Sequence, residues 1–242
     1  MSTDRQFMEI GGIAVEIVRK AIKYLHVGVY PPAGRVRVAV PLRLDDEAVR
    51  LAVVSRLGWI RRKQKALAAQ DRQSQREMVS GESHYFQGRR YLLSVIERPG
   101  SPGVSLTGSA TMELRVPPVY DRDQRDAVLQ RWYRRELRAL LPSLVAKWEP
   151  KVEKTVAEVR IKRMKTLWGS CNADARRIWL NLELIKKPVG CLEYVLVHEL
   201  VHLHERRHSE RFQGWMDALM PSWRYHRDEL NRSPLAHEEW RY

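Results

Sequence analysis

Residues 192–212 read Leu-Glu-Tyr-Val-Leu-Val-His-Glu-Leu-Val-His-Leu-His-Glu-Arg-Arg-His-Ser-Glu-Arg-Phe, and they contain His198-Glu199-x-x-His202. No other stretch limits the fold so strongly. The lead-in from Tyr194 to Val197 is apolar and holds no breaker, which calls for a buried helix. On a helix, His198 and His202 share one face, so both imidazoles can reach one metal ion. Glu199 lies beside that face, able to touch a water on the metal without binding the metal itself. Two neutral imidazoles, an open coordination position and a carboxylate base are the parts of a zinc hydrolase that works through a metal-activated water.

Catalytic zinc usually takes a third protein ligand. His208 is the candidate. On a straight helix it would lie about 600° and about 9 Å beyond His202, away from the metal. The helix is therefore expected to stop near His204 to Arg206, and the chain to turn back. Glycine commonly makes such a turn, but three residues after His202 stands Glu205. A carboxylate from a later helix, Glu229 or Glu238, is the rival ligand. The ligand types favour Zn2+, one ion per chain, and other divalent metals also suit imidazole.

The chain has 242 residues, enough for one domain or two small ones. Its only cysteines, Cys171 and Cys191, exclude a disulfide framework and fit a reducing cytoplasm. Met1 to Ile10 lacks a basic segment followed by an apolar one, and no apolar run is long enough to span a membrane. A cytoplasmic protein with no membrane partner is expected. The net charge of +14 makes nucleic acid or an anionic substrate a candidate partner. The basic residues are spread along the chain, however, and no aromatic-interleaved RNA signature appears. A solvated basic surface is the plainer explanation.

From Ile13 to Val40 the chain reads as strands: Val15 and Ile17, then Tyr24 to Tyr30, a Pro31-Pro32-Ala33-Gly34 turn, and Val36, Val38 and Val40 in alternation. Asp45 looks like a helix cap, with helical periodicity from Ala48 to Gln75. Gly81 to Ile96 forms a hairpin around Gly88, and Leu106 to Val116 a strand pair around Gly108-Ser109. Near residue 120 the composition changes. Asp121 to Lys147 is a long amphipathic helix that Pro142 should kink or end. Val156 to Ile161 and Arg177 to Leu182 read as strands, with residues 163–171 as a loop. The motif helix runs from Pro188 to about His204. Ser209 caps a second helix and Pro221 opens a third. No internal repeat stands out. The expected fold class is α+β. A β-rich region with one long helix covers residues 1–119, and a metallohydrolase core with a small antiparallel sheet and the His-Glu-x-x-His helix covers 120–242.

Several separated blocks agree in order with one family. They are Arg163-x-Lys165-x-x-Trp168-Gly169-Ser170-Cys171, Asn181, Pro188, Tyr194-Val195-x-Val197-His198-Glu199-Leu200-x-His202, and His208-Ser209-x-x-Phe212. Trp59-Ile60, Gly81-Glu82, Tyr85 and Gly88 to Tyr91 add to them. The chain resembles the YgjP-like metal-dependent hydrolases, zincins related to the SprT-like and WLM proteases. The resemblance implies a mononuclear metal site with His198, His202 and His208 as ligands and Glu199 as general base. Before the third His the family typically has Asn or Asp; here it is Arg207. Its relatives imply peptide or protein hydrolysis, and nucleotide phosphohydrolysis has also been considered for the group. By the same resemblance, Arg177 to Asn181 is the candidate for the strand along which extended substrate lies.

Further candidates are weaker. Arg163 and Lys165 suit an oxyanion or phosphate contact, or else pair with Glu183 or Glu193. Asn181 either orients a substrate or holds the motif loop. Tyr225 and His226 lie on the last helix, where a phenol or imidazole could donate to a tetrahedral intermediate. His204 should face away from the metal. Three functions follow: a zinc-dependent, metallopeptidase-like hydrolase; a metal-dependent phosphohydrolase of nucleoside triphosphates or another anionic substrate; and a nucleic-acid-associated module with a structural metal. A structural zinc usually fills all four positions with protein atoms, and this pattern supplies three.

Overall fold

The structure, a computed structural model, describes residues 5–30, 34–69, 76–164 and 167–232. The chain forms two compact units that divide between Ser74 and Gln75.

The first unit begins with β1 (Arg5–Ile10), β2 (Ile13–Lys20), β3 (His26–Tyr30) and β4 (Arg35–Pro41), in sheet order β1-β2-β4-β3. The β3/β4 hairpin is the expected one, and Val36, Val38 and Val40 are buried as their alternation requires. The chain also pairs β2 with β4 in parallel, Val15 opposite Val36, and adds β1 through a Gly11-Gly12 turn with both glycines at positive φ. Asp45 caps α1 (Asp46–Val54) by accepting from the Ala48 N–H at 2.8 Å. The single helix expected from Ala48 breaks at Ser55-Arg56, and α2 (Leu57–Ala69) follows as a separate helix. The break lets Val49 and Val53 from α1 and Ile60 from α2 reach the same core as Val15, Ile17 and Val38.

The second unit opens with β5 (Ser83–Phe86), β6 (Arg89–Glu97), β7 (Gly103–Thr107) and β8 (Thr111–Val116), in order β5-β6-β8-β7. Again two hairpins are joined through parallel inner strands, β6 and β8, and again the first turn, Gln87-Gly88, has both residues at positive φ. A helix capped by an aspartate follows here too. The four-strand-and-helix arrangement therefore occurs twice, an internal repeat carried by topology that inspection of the residues did not detect.

That helix is α3 (Arg122–Val152), with Asp121 and Gln124 forming a reciprocal capping box. It continues through Pro142, where a kink or end was expected, and through Pro150 near its end. The N–H bond missing at each proline is outweighed by a continuous buried face of Trp132, Tyr133, Leu137, Leu141, Trp148 and Val152. This face shares one core with Leu93, Met112 and Leu114 of the sheet, and the Tyr133 hydroxyl donates to the Tyr85 carbonyl at 2.8 Å. The shared core is why the contact boundary falls at Ser74/Gln75 rather than near residue 120.

A three-stranded sheet follows: β9 (Glu158–Lys162), β10 (Gly169–Asn172) and β11 (Arg177–Asn181), in order β10-β11-β9. It is mixed rather than antiparallel, because β9 and β11 run parallel while β10 and β11 form a hairpin. Strand β10 begins inside the stretch read as a loop and ends one residue past it. A short 3₁₀ turn at Leu182–Lys186 leads to α4 (Val189–Val201), α5 (Glu210–Leu219) and α6 (Trp223–Arg232). Among the described residues no helix is long and apolar enough to cross a membrane.

Candidate metal centre

Helix α4 is apolar on nearly every side because it is enclosed: Cys191, Leu192, Tyr194 to Val197, Leu200 and Val201 are all buried, against α3, α5, α6 and strands β10 and β11. Gly190 permits the approach of α6, since a Cβ there would meet the His226 ring at 2.4 Å.

The helix ends where a third ligand at His208 would require it to. His202 is its cap, and the N–H groups of Leu203, His204 and Glu205 close a tight turn onto Leu200 and Val201. No residue from Leu203 to His208 has a positive φ. The turn needs neither glycine nor a left-handed Asn or Asp, so Arg207 fits. Arg207 N–H donates to Glu205 Oε1 at 3.1 Å, and Ser209 Oγ accepts from Phe212 N–H at 3.3 Å to start α5.

The result is a cluster of three imidazoles whose ring centroids stand 4.9 Å apart pairwise. The nearest ring nitrogens of His198, His202 and His208 all lie within 4.8 Å of one another, and His208 Nε2 is 2.9 Å from His198 Nε2. His202 Nδ1 faces the Glu205 carbonyl at 3.0 Å, which leaves its Nε2 for the centre. Phe212 floors the cluster, with its ring 4.7–4.9 Å from each imidazole. Burial, then the neighbouring His202 and His208, pushes His198 down to about 3. Burial also lowers His202, against the pull of the Glu205 carbonyl. Both therefore carry free lone pairs at neutral pH, the form a metal ion needs. These residues fit a single divalent ion with open positions. Beside them Glu199 is 5% exposed, and burial raises its carboxyl to about 8.

A cleft of about 690 Å³ opens over the cluster. One wall is β10. The Asn181 N–H donates to the Trp168 carbonyl, so in the β10/β11 hairpin the hydrogen-bonded pairs are Trp168/Asn181, Ser170/Trp179 and Asn172/Arg177. Gly169 and Cys171 sit in the intervening pairs and turn their own N–H and C=O groups to the open edge. Strand β11, the expected substrate strand, lies in the middle of its sheet, paired on both sides; the free edge beside α4 belongs to β10.

The other candidates scatter. Asn181 is buried outside the cleft lining, accepting from Met164 and Glu183 N–H groups and donating to the Met164 and Leu167 carbonyls at 2.8 Å. It pins the loop that leads into β10. Arg163 is not in the cleft lining either. Burial works to raise the Glu183 carboxyl, while Lys186, Arg163 and Lys187 together hold it low. Lys165 and Glu238 fall outside the described residues. Tyr225 is 60% exposed and its ring meets His226. Glu229 lies by the Cys191 thiol, 3.4 Å away, and does not join the His cluster. His204 points away as expected, stacked on Trp215 with Nε2 at the Val152 carbonyl. The Cys171 thiol lines the cleft, raised to about 11 by burial and by Glu199.

Three contributors escaped the reading of the residues. Tyr194, one turn before His198, lines the cleft with its ring edge on the imidazole. Phe212 carries the three rings, and Gly169 meets Glu199. Spacing could have found the first two, each being four residues from a candidate ligand.

The sequence profile of the YgjP-like metallopeptidase domain matches residues 25–233. No curated protein matches the chain. Among solved structures, the crystal structure of the metallopeptidase zymogen of Pyrococcus abyssi abylysin aligns with a TM-score of 0.36 and 20% identity, covering 38% of this chain and 91% of that one. The profile spans most of the chain, including the helix and turn that build the imidazole cluster and the strand that walls its cleft, and the chain accordingly belongs to the YgjP-like metallopeptidase family of metal-dependent hydrolases.

Proposed function

We propose that the chain is a zinc-dependent peptidase in which His198, His202 and His208 hold the metal and Glu199 is the general base. The observation that carries this reading is the convergence of three imidazoles and one buried carboxyl at the foot of a cleft walled by a free strand edge. A bound zinc ion supplies Lewis acidity to the carbonyl under attack and acidifies water. Glu199 takes the proton from the attacking water and delivers it to the leaving amine. Gly169 and Cys171 offer main-chain donors and acceptors to an extended peptide, which would add a strand outside β10. Tyr194 brings the phenol of the cleft lining, and its hydroxyl is the donor for the oxyanion that develops on the scissile carbonyl.

The phosphohydrolase reading gains little. Of its motivating pair, Arg163 lies outside the cleft lining. The arginines that do line the cleft are engaged: Arg206 pairs with Asp174, and Arg227 pairs with Asp228 and lies over the Trp223 ring. The test compares zinc-loaded wild type with Glu199→Gln on an unfolded protein substrate and on nucleoside triphosphates. The expected result is peptide cleavage lost in the variant at unchanged zinc content. Undiminished cleavage by Glu199→Gln would remove Glu199 as base, and phosphate release that depends on Glu199 would replace the peptidase reading.

A further inference from the structure

We infer that Gly169 is the positioning residue of the catalytic carboxylate: the side chain it lacks is the slot that Glu199 occupies. This rests on the reading of Glu199 as the base. A Cβ built on Gly169 would stand 2.6 Å from Glu199 Oε1, 2.8 Å from Cγ and 2.9 Å from Cδ. Atoms that are not bonded do not approach so closely, so any side chain at 169 displaces the carboxyl. Displacement is not cheap. Glu199 is almost wholly enclosed on a helix whose neighbouring residues are core.

Glycine has two usual reasons to stand in a protein: a left-handed backbone, or a close approach by another group. Gly169 has no positive φ, so its backbone conformation is open to any residue. Within a strand glycine also costs conformational entropy and leaves nothing to pack. Close approach is the reason that remains, and the approaching group is the base itself. The register of β10 adds a second consequence. Gly169 is one of the two residues whose main chain faces the open edge. The residue that seats Glu199 thus also borders the peptide proposed to lie along that edge, and one position sets the distance between base and substrate main chain.

The test is a double-mutant cycle on zinc-loaded protein: Gly169→Ala, Glu199→Ala and the pair. In the wild-type background, Gly169→Ala lowers the thermal midpoint by about 3 °C or more. In the Glu199→Ala background the same change leaves the midpoint level or raises it, because the methyl enters vacated space. Equal shifts in both backgrounds overturn the proposal. A parallel arm follows hydrolysis of fluorescently labelled casein. Gly169→Ala lowers kcat by about a hundredfold with KM and zinc content kept, the scale expected of a base moved by about an ångström. Full kcat in a correctly folded Gly169→Ala protein overturns it as well. Absence of casein cleavage by the wild type counts against the peptidase reading instead, and the stability cycle then decides the role of Gly169 by itself.

Discussion

His202 Nδ1 lies 3.0 Å from the carbonyl of Glu205, three residues further on. One contact joins two requirements of the proposed site that looked separate: the helix must break after His202, and the His202 ring must be held with Nε2 inward. The tight turn that stops α4 is what delivers the Glu205 carbonyl to the imidazole. Proline at 205 deletes the N–H that closes this turn onto Val201 and drives the chain out of it. Glu205→Pro is expected to weaken zinc binding by roughly tenfold to a hundredfold, read by chelator competition. Unchanged affinity would show that the carbonyl contact is incidental.

Phe212 touches all three imidazoles and is 3% exposed. Truncation removes both core volume and the floor of the cluster. Phe212→Ala should destabilise the protein by about 3–5 kcal/mol in urea titration and loosen zinc, while Phe212→Leu should recover most of the stability and less of the affinity. Equal recovery of both would mean that the ring only fills space.

Tyr194→Phe keeps the ring against His198 and removes only the hydroxyl. If that hydroxyl serves the oxyanion, kcat falls by roughly a hundredfold with zinc content and KM nearly unchanged. Tyr225→Phe, on the exposed phenol, should be silent. A wild-type kcat in Tyr194→Phe would return the donor role to another group.

His84 supplies a pH dependence away from the metal. Burial, then the charge of Arg76, pushes its imidazole down to about 4 against the pull of Glu82. A base whose folded pKa is depressed takes its proton first in the unfolded chain. The associated stability is therefore complete above the ordinary His pKa and is lost as the pH falls towards the folded value. Between neutral pH and about pH 5 the loss should be roughly 2 kcal/mol. Urea midpoints of zinc-free protein at the two pH values, compared with His84→Gln, isolate it. Parallel slopes in the two proteins would rule it out.

Much of this is legible in the residues themselves, where local chemistry decides the outcome. Asp45 and Ser209 cap the helices they announce, and the helix of the His-Glu-x-x-His motif follows from its apolar lead-in. Pairing between distant strands has no local signature, which is why the parallel β2/β4 and β6/β8 pairs, and the repeat they create, were invisible. Strand β10 was hidden for a similar reason. Four residues beginning with glycine look like a loop until β11 supplies their partners. Pro142 misled because the penalty for proline is local while the packing that offsets it is spread along α3. Gly169 had no role to read from the loop alone, since only the fold brings Glu199 against it.

The twin sheets also bear on the order in which the molecule is made. Each draws all its strands from one continuous stretch, residues 5–41 and 83–116, whereas the proposed metal ligands begin at His198. During synthesis both sheets can be complete, and α3 laid on the second, before any ligand has left the ribosome. A metal ion held by the proposed ligands would then meet a scaffold whose two sheets are already built.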